Sequence, residues 1–249
     1  MSGLALIDAG AGPGVRGVFT TRAGGASEGP FAGLNLGGKT ADLPERVRAN
    51  RRVVCEALGL EADRVTMGHQ VHGAEVRAVA APTRPGRFTG GLRGWPEGDG
   101  LVTEAPGLAL VVLGADCLPV LLWRVDRPAV AAVHAGWRGL VGGVLEAAVA
   151  RLGDPARTAA AIGPGVGPCC YPVDAALRRR FAAAFGDETV RPPAVDLSRA
   201  ARAALLGSGL RDGAVSAVDA CTSCEPERFF SYRRDGAVTG RHGGIIWIG

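Results

Sequence analysis

Lysine, histidine, methionine and aromatic residues are all scarce in this sequence of 249 residues. Lys39 is the only lysine, so the formal net charge of +4 comes almost entirely from arginine. Aromatic residues make up 5% of the chain, and the arginines are interleaved with acidic residues rather than clustered. Surfaces that bind nucleic acids usually combine a contiguous basic patch with aromatic rings on which bases stack. We therefore expect no nucleic-acid partner.

The sequence also lacks an apolar run of the ~20 residues that are needed to cross a bilayer. The N-terminus carries Asp8 and has no basic segment followed by an apolar one, as a secretory signal would. We therefore predict a cytoplasmic chain with no membrane partner. In that compartment the six cysteines would stay reduced, so metal binding, catalysis and burial are the roles to consider for them.

The first half of the chain predicts one helix, two strands and a long loop. Asp42 and Pro44 are typical of a helix start, and Gly59 is typical of its end. Residues 64–79 are rich in β-branched side chains and predict two strands. Proline and glycine cluster in residues 82–100 and predict a long surface loop that could act as an active-site lid.

Short, nearly continuous apolar runs in the centre of the chain indicate strands that are buried on both faces. These runs cover residues 108–113, 120–123 and 129–133. Helical spacing follows in residues 140–152, 174–185 and 196–206, and closing strands are expected in residues 215–218, 229–232 and 245–248. No internal repeat or linker interrupts the sequence. We predict an α/β fold in which residues 1–249 form a single catalytic domain, with a mixed central sheet flanked by helices.

Two of the four histidines lie in glycine-punctuated turns beside predicted strands. His72 and His134, together with Cys117, could supply two nitrogen ligands and one sulfur ligand to a metal ion. Such a set leaves the fourth tetrahedral position open, which is the arrangement of a catalytic rather than a structural zinc. The spacing alone is a weak signal, because the three residues are dispersed along the chain. His69 and His242 are expected to be structural or solvent-facing.

Seven motifs, in order along nearly the whole chain, carry a resemblance to a known family. They are Phe-Thr-Thr-Arg-Ala-Gly-Gly (19–25), Gly-Leu-Asn-Leu-Gly (33–37), Gln-Val-His-Gly (70–73), Ala-Asp-Cys-Leu-Pro-Val-Leu-Leu (115–122), His-Ala-Gly-Trp-Arg-Gly (134–139), Gly-Pro-Cys-Cys-Tyr (167–171) and Phe-Phe-Ser-Tyr-Arg-Arg-Asp-Gly (229–236). Together they resemble the family once labelled multicopper polyphenol oxidase or laccase-domain, and now described as purine nucleoside phosphorylases.

The resemblance implies both an activity and a metal site. It places the metal ligands, which are also the catalytic centre, at His72, Cys117 and His134, with zinc expected and copper possible in the same site. The implied activities are phosphorolysis of adenosine, inosine and S-methyl-5'-thioadenosine, together with adenosine deamination. The chain departs from the family after Arg241, where His242-Gly243-Gly244 stands in place of small apolar residues.

The older oxidase label conflicts with the residues available. A blue-copper site needs two histidines, a cysteine and usually an axial methionine, and the only methionines are Met1 and Met67. A trinuclear copper cluster would need more imidazole ligands than four histidines can supply. We therefore do not expect multicopper oxidation.

Arginines are the candidates for binding phosphate, because the planar guanidinium forms bidentate hydrogen bonds with an anion. Arg138 is the first choice, since it follows His134 at the start of a predicted helix. Arg22, in a glycine-rich loop, is the second, and Arg233 comes next together with Arg234 and Arg241. Asp116 lies beside Cys117 and is expected either to transfer protons or to orient a ligand.

Two other functions remain open at this point. Cys117 could be a thiolate nucleophile with His134 as its base, in a metal-independent hydrolase or amidase. The chain could also be a metal-binding module without catalytic activity. Cys221 and Cys224 have the spacing of a redox or zinc pair, but no second pair follows the same pattern, so both are interpreted as thiols without a metal.

Overall fold

Two mixed β-sheets stack face to face in the computed structural model of the chain, which describes residues 3–91 and 94–249. The strands, in chain order, are β1 (Leu6–Asp8), β2 (Val15–Thr20), β3 (Val65–Met67), β4 (Val76–Ala78), β5 (Gly100–Thr103), β6 (Ala109–Gly114), β7 (Leu118–Arg124), β8 (Val130–Ala135), β9 (Thr158–Ile162), β10 (Val190–Arg191), β11 (Ala194–Val195), β12 (Val215–Ala217) and β13 (His242–Ile248). The α-helices are α1 (Pro44–Leu58), α2 (Trp137–Val141), α3 (Val144–Leu152), α4 (Ala175–Phe185), α5 (Leu197–Gly207) and α6 (Tyr232–Asp235).

The first sheet has the strand order β1-β2-β13-β6-β3, and the second has the order β12-β9-β7-β8-β5-β4. In the first sheet β3 runs parallel to β6, and the other neighbouring strands are antiparallel. In the second sheet β12 runs parallel to β9 and β4 runs parallel to β5. Strands β10 and β11 form a separate antiparallel pair.

Alternate residues of the central strands face two different layers of the core. Leu110 of β6 and Leu121 of β7 pack in the apolar layer between the sheets. Val111, one residue further along β6, packs in the layer that includes Val54 of α1. Val120 of β7 packs instead in the layer shared with helices α3, α4 and α5. Because both faces of each strand are buried, the apolar runs are continuous rather than alternating.

The predicted α/β class with mixed strands and flanking helices is confirmed. The predicted central sheet is in fact two stacked sheets with helices on their outer faces. Helix α1 runs from Pro44 to Leu58 and ends at Gly59, whose φ of 65° is left-handed. The three central apolar runs correspond to β6, β7 and β8. Asp174 and Asp196 cap helices α4 and α5 by accepting backbone N–H hydrogen bonds.

Two predicted elements differ in the structure. The helix expected over residues 140–152 is divided into α2 and α3, because Gly143 adopts a left-handed φ of 83° between them. Residues 229–232 do not form a strand. Phe229 and Phe230 are buried, but the Ser231 hydroxyl accepts the backbone N–H of Arg234 and starts helix α6.

The loop predicted over residues 82–100 is irregular, but it is anchored to the core. Phe88 and Trp95 are buried, and the Arg51 guanidinium donates a hydrogen bond of 2.9 Å to the Phe88 carbonyl. Leu92 and Arg93, which belong to this loop, lie outside the described residues. None of the described helices combines the length and apolar character that crossing a membrane requires.

Candidate active site

Three sequence-predicted ligands converge at one end of the two sheets. His72 lies in the segment between β3 and β4, Cys117 in the turn between β6 and β7, and His134 in β8. Each offers one donor atom, and these atoms all lie within 4.8 Å of one another. The two imidazole rings meet edge to face, with their centroids 4.9 Å apart. The structure therefore brings together residues that are far apart in the sequence.

Asp99, a residue that the sequence analysis did not single out, holds two of these ligands in place. Its carboxylate is buried and lies 2.8 Å from Nδ1 of His134. It also accepts the backbone N–H groups of Val71, His72 and Gly73 at 2.8–3.0 Å. Burial raises the pKa of Asp99, but these hydrogen bonds outweigh it and lower the pKa overall. An ionised carboxylate only accepts, so Nδ1 of His134 is the donor, and Nε2 is the nitrogen left to face Cys117 or a metal.

Cys117 and His134 stabilise each other's charged forms. Burial raises the pKa of the Cys117 thiol, but the charges and hydrogen bonds of His134 and His72 lower it to about 6. Burial lowers the pKa of His134, whereas the Cys117 thiolate and Asp99 raise it to about 9. The thiolate is the form of cysteine that binds metals and attacks electrophiles. The electrostatics of this pair therefore suit both a metal site and a thiol nucleophile.

Two residues of the site adopt left-handed backbone conformations that are uncommon for residues other than glycine. They are His72, with a φ of 63°, and Asp116, with a φ of 93°. Asp116 is buried. Its carboxylate accepts hydrogen bonds from the Thr222 hydroxyl at 2.7 Å and from the backbone N–H of Arg233 at 2.5 Å. Such strain persists only where the surrounding contacts enforce it, and it is concentrated at functional sites. Asp116 thus joins the turn that carries Cys117 to the two segments that carry Thr222 and Arg233.

The donor set and the space around it fit zinc. Two imidazole nitrogens and one thiolate are common zinc ligands, and donors around one zinc lie roughly 3.3–3.8 Å apart. Gly136 leaves this space open, because a Cβ atom there would lie 2.8 Å from the Cys117 sulfur and 3.4 Å from Cδ2 of His72. With only three protein ligands, the fourth position would face the cavity.

We predict that Gly136→Ala will weaken metal binding while leaving the fold intact. The φ of −83° at Gly136 is open to alanine, so the expected effect comes from the contact with the Cys117 sulfur. Overpacking typically costs about 1–3 kcal/mol. If the whole of this cost falls on the metal-bound form, zinc should bind about five- to hundredfold more weakly. Zinc titration in competition with a chromophoric chelator measures this. Gly207→Ala is the control, because nothing lies within 4 Å of its Cβ position, and equal affinities in both variants would contradict the prediction.

The triad lines a cavity of about 1100 Å³. Trp137 and Tyr171 contribute aromatic rings to its wall, and Arg138 and Arg233 contribute guanidinium groups. The Arg138 guanidinium lies 4.5 Å from the centroid of the Trp137 ring, and that of Arg233 lies 4.9 Å from the centroid of the Tyr171 ring. Burial and the nearby Cys117 raise the pKa of Tyr171 to about 12, so its hydroxyl keeps its proton.

The remaining candidate residues occupy different surroundings. Among the described residues, Arg22 is not part of the cavity lining; its guanidinium donates to the carbonyls of Ala32 and Pro226. Arg241 does line the cavity. His69 lines it too and is partly exposed. His242 is fully buried, and burial together with the charge of Arg241 lowers its pKa to about 3.

Comparison with protein families matches residues 16–249 to the family described as multi-copper polyphenol oxidoreductase laccase. A purine nucleoside phosphorylase of Streptomyces coelicolor is 44% identical over 238 residues, covering 92% of this chain and 94% of the relative. The purine nucleoside phosphorylase YlmD of Geobacillus stearothermophilus is 36% identical over 236 residues, covering 90% of this chain and 86% of the relative.

Solved structures agree with the sequence comparison. The hypothetical protein YfiH of Bacillus licheniformis superposes with a TM-score of 0.89 at 32% identity, covering 94% of this chain and 93% of that chain. The crystal structure of YlmD from Geobacillus stearothermophilus superposes with a TM-score of 0.87 at 34% identity, covering 95% and 92% of the two chains. The stacked sheets and helices are thus the fold of these proteins.

Proposed function

Since the chain belongs to the multi-copper polyphenol oxidoreductase laccase family, and its relatives are named purine nucleoside phosphorylases, we propose that it cleaves purine nucleosides with phosphate. The proposed substrates are adenosine, inosine and S-methyl-5'-thioadenosine, with adenosine deamination as a second activity. The observation that carries the proposal is the position of the His72, Cys117 and His134 triad in the wall of a cavity that also contains Arg138 and Arg233.

We propose zinc as the metal that His72, Cys117 and His134 hold, with copper as a competing ion for the same donors. A zinc ion with an open position supplies Lewis acidity and lowers the pKa of bound water. The protein's own contribution is to hold the donors. Asp99 fixes the tautomer of His134 and the backbone around His72, and the site keeps Cys117 as the thiolate that a metal requires.

The cavity wall offers aromatic rings for the purine and guanidinium groups for the phosphate. Its volume of about 1100 Å³ is large enough for a nucleoside and a phosphate. Trp137 and Tyr171 provide ring surfaces on which a purine can stack. Arg138 and Arg233 place positive charge on the same wall, where a phosphate can accept bidentate hydrogen bonds. We propose Arg138 as the main phosphate ligand and Arg233 as its neighbour. For Arg22, whose guanidinium donates to the Ala32 and Pro226 carbonyls, we propose a role in holding loops together.

We propose that the chain acts in the cytoplasm, where ligands such as Cys117 stay reduced, and that residues 1–249 work as one catalytic domain. Multicopper oxidation is not proposed despite the family's description. Of the four histidines, His242 is fully buried against the Phe229 ring and is not one of the grouped donors. The described histidines therefore do not provide the ligands of a second copper centre near the first.

Product analysis with adenosine tests the proposed function. Phosphorolysis should give adenine and ribose 1-phosphate only when phosphate is present. Deamination should give inosine with or without phosphate. Protein carrying Cys117→Ala, prepared in the same way, is the control for contaminating host enzymes. If the wild-type protein and this variant formed the same products at the same rate, the proposed function would be wrong.

A further inference from the structure

A second group of possible metal ligands lies outside the triad. Cys169 and Cys170 follow β9 in one loop, and Cys221 and Cys224 lie in the loop that leads to α6. Their four sulfur atoms all lie within 4.8 Å of one another. The sequence analysis interpreted Cys221 and Cys224 as thiols without a metal, because no second pair followed the same pattern. In the folded chain, Cys169 and Cys170 supply the second pair that the sequence pattern lacked.

The sulfur positions suit a tetrahedral ion. Four thiolates around one zinc, at Zn–S distances of about 2.3 Å, have sulfur atoms roughly 3.8 Å apart. The Cys224 sulfur lies 3.5 Å from that of Cys169 and 3.4 Å from that of Cys170. All four cysteines are free thiols, so none of the sulfurs is already used in a covalent bond. The backbone N–H of Gly167 donates a hydrogen bond of 3.2 Å to the Cys221 sulfur, an interaction that orients a ligand from outside the coordination sphere.

We propose that Cys169, Cys170, Cys221 and Cys224 form a structural zinc site. Four protein thiolates leave no open coordination position, which distinguishes a structural zinc from the open arrangement at His72, Cys117 and His134. Thiolates are soft ligands that select zinc over magnesium or calcium. Cys169 and Cys224 are exposed, so an ion can reach the site from solvent without passing through the cavity.

The site joins two loops that build one wall of the cavity. Tyr171 follows Cys170 directly, and its ring contacts the Arg233 guanidinium. On the other loop, the Thr222 hydroxyl donates to Asp116 at 2.7 Å, and the Arg234 guanidinium donates to the Thr222 carbonyl at 2.8 Å. A zinc ion held by both loops would fix this wall next to the turn that carries Cys117. The site therefore has a positioning role, since none of its four cysteines is among the described residues that line the cavity.

The test is zinc stoichiometry of the full chain, purified under reducing conditions and dialysed against zinc. We expect two zinc ions per wild-type chain and one in the double variant His72→Ala, Cys117→Ala, which lacks the triad. Adding Cys224→Ser to the double variant should reduce the remaining zinc from about one to near zero. Adding Cys55→Ala instead is the matched control and should leave one zinc, because Cys55 is a buried residue of α1 that packs in a different apolar layer from the cluster.

Circular dichroism should show that each variant is folded, and Cys169→Ser provides a second variant at an exposed position if Cys224→Ser is unstable. Cobalt substitution of the double variant should produce sulfur-to-cobalt charge-transfer absorption that Cys224→Ser removes. The proposal would be overturned if the folded double variant bound no zinc. A second outcome would also overturn it. Mass spectrometry of protein purified without reductant would show disulfides, each lowering the mass by two hydrogens, and the same protein would bind no zinc after reduction.

Discussion

Replacing any one of the three triad ligands with alanine should cause a large loss of zinc from the cavity and of activity. Each of His72, Cys117 and His134 supplies one of three protein donors, so its loss leaves an incomplete site. A catalytic metal contributes several kcal/mol to the stabilisation of a transition state, so we expect rates to fall by about a thousandfold or more. The measurements are zinc per chain and initial rates of adenine and inosine formation. Zinc held by the four-cysteine cluster should remain.

The fold should survive these substitutions, because none of the three side chains belongs to the apolar layers of the core. His69→Ala is the matched control, since His69 lines the same cavity but lies outside the donor group. Circular dichroism and thermal unfolding check that each variant is folded. The same three substitutions can each be made in a chain that also carries Cys224→Ser, so that only zinc in the cavity is counted. If all three folded variants still held one zinc per chain, the metal would lie elsewhere.

Chelation and alkylation separate the metal enzyme from a thiol hydrolase built on the same residues. A metal enzyme should lose activity with a strong chelator and regain it when zinc is added back. A hydrolase that used Cys117 as its nucleophile and His134 as its base would keep its activity after chelation and lose it after alkylation. Activity that persisted in the fully chelated protein would therefore favour the hydrolase.

The sequence predicted elements whose signals are local. Helix α1 begins at a proline and ends before a glycine. Helices α4 and α5 each follow an aspartate whose side chain accepts the backbone N–H three residues further on. The central strands were predicted from their buried apolar runs. The division between α2 and α3 depends on the φ of Gly143, and glycine alone does not specify that conformation. The Phe229–Phe230 pair had a strand-like apolar signal, but tertiary burial and the Ser231 cap determine its structure.

The stacking of two sheets was missed, because periodicity shows that a strand is buried on both faces but not whether helices or another sheet cover it. Similar limits apply at the site. Resemblance predicted the three ligands, which the fold brings together, whereas Asp99 lies 35 residues from His134 and was not considered. Its position between Gly98 and Gly100, at the start of a strand, is a signal that could have pointed to it. Cys170 and Cys224 are 54 residues apart, so only the fold reveals their contact.

Arg138→Ala should weaken phosphorolysis far more than deamination. Arg138 is exposed on the cavity wall beside Trp137, so its guanidinium can pair with an anion in the cavity. Losing charge-assisted hydrogen bonds typically costs about 1.5–3 kcal/mol, or about one to two decades in the rate at limiting phosphate. Deamination uses water and needs no phosphate. The product ratio should therefore shift from adenine towards inosine.

The measurement is the initial rate of both products across a phosphate titration in wild type, Arg138→Ala and Arg138→Lys. Lysine restores the charge but not the planar fork, so we expect only partial recovery of the apparent phosphate affinity. Arg22→Ala is the comparison variant, because its guanidinium is bonded to the Ala32 and Pro226 carbonyls outside the cavity lining. An unchanged phosphate affinity in Arg138→Ala would reject this residue as the anion ligand. Arg233, which lies on the same wall and contacts Tyr171, would then be the residue to test.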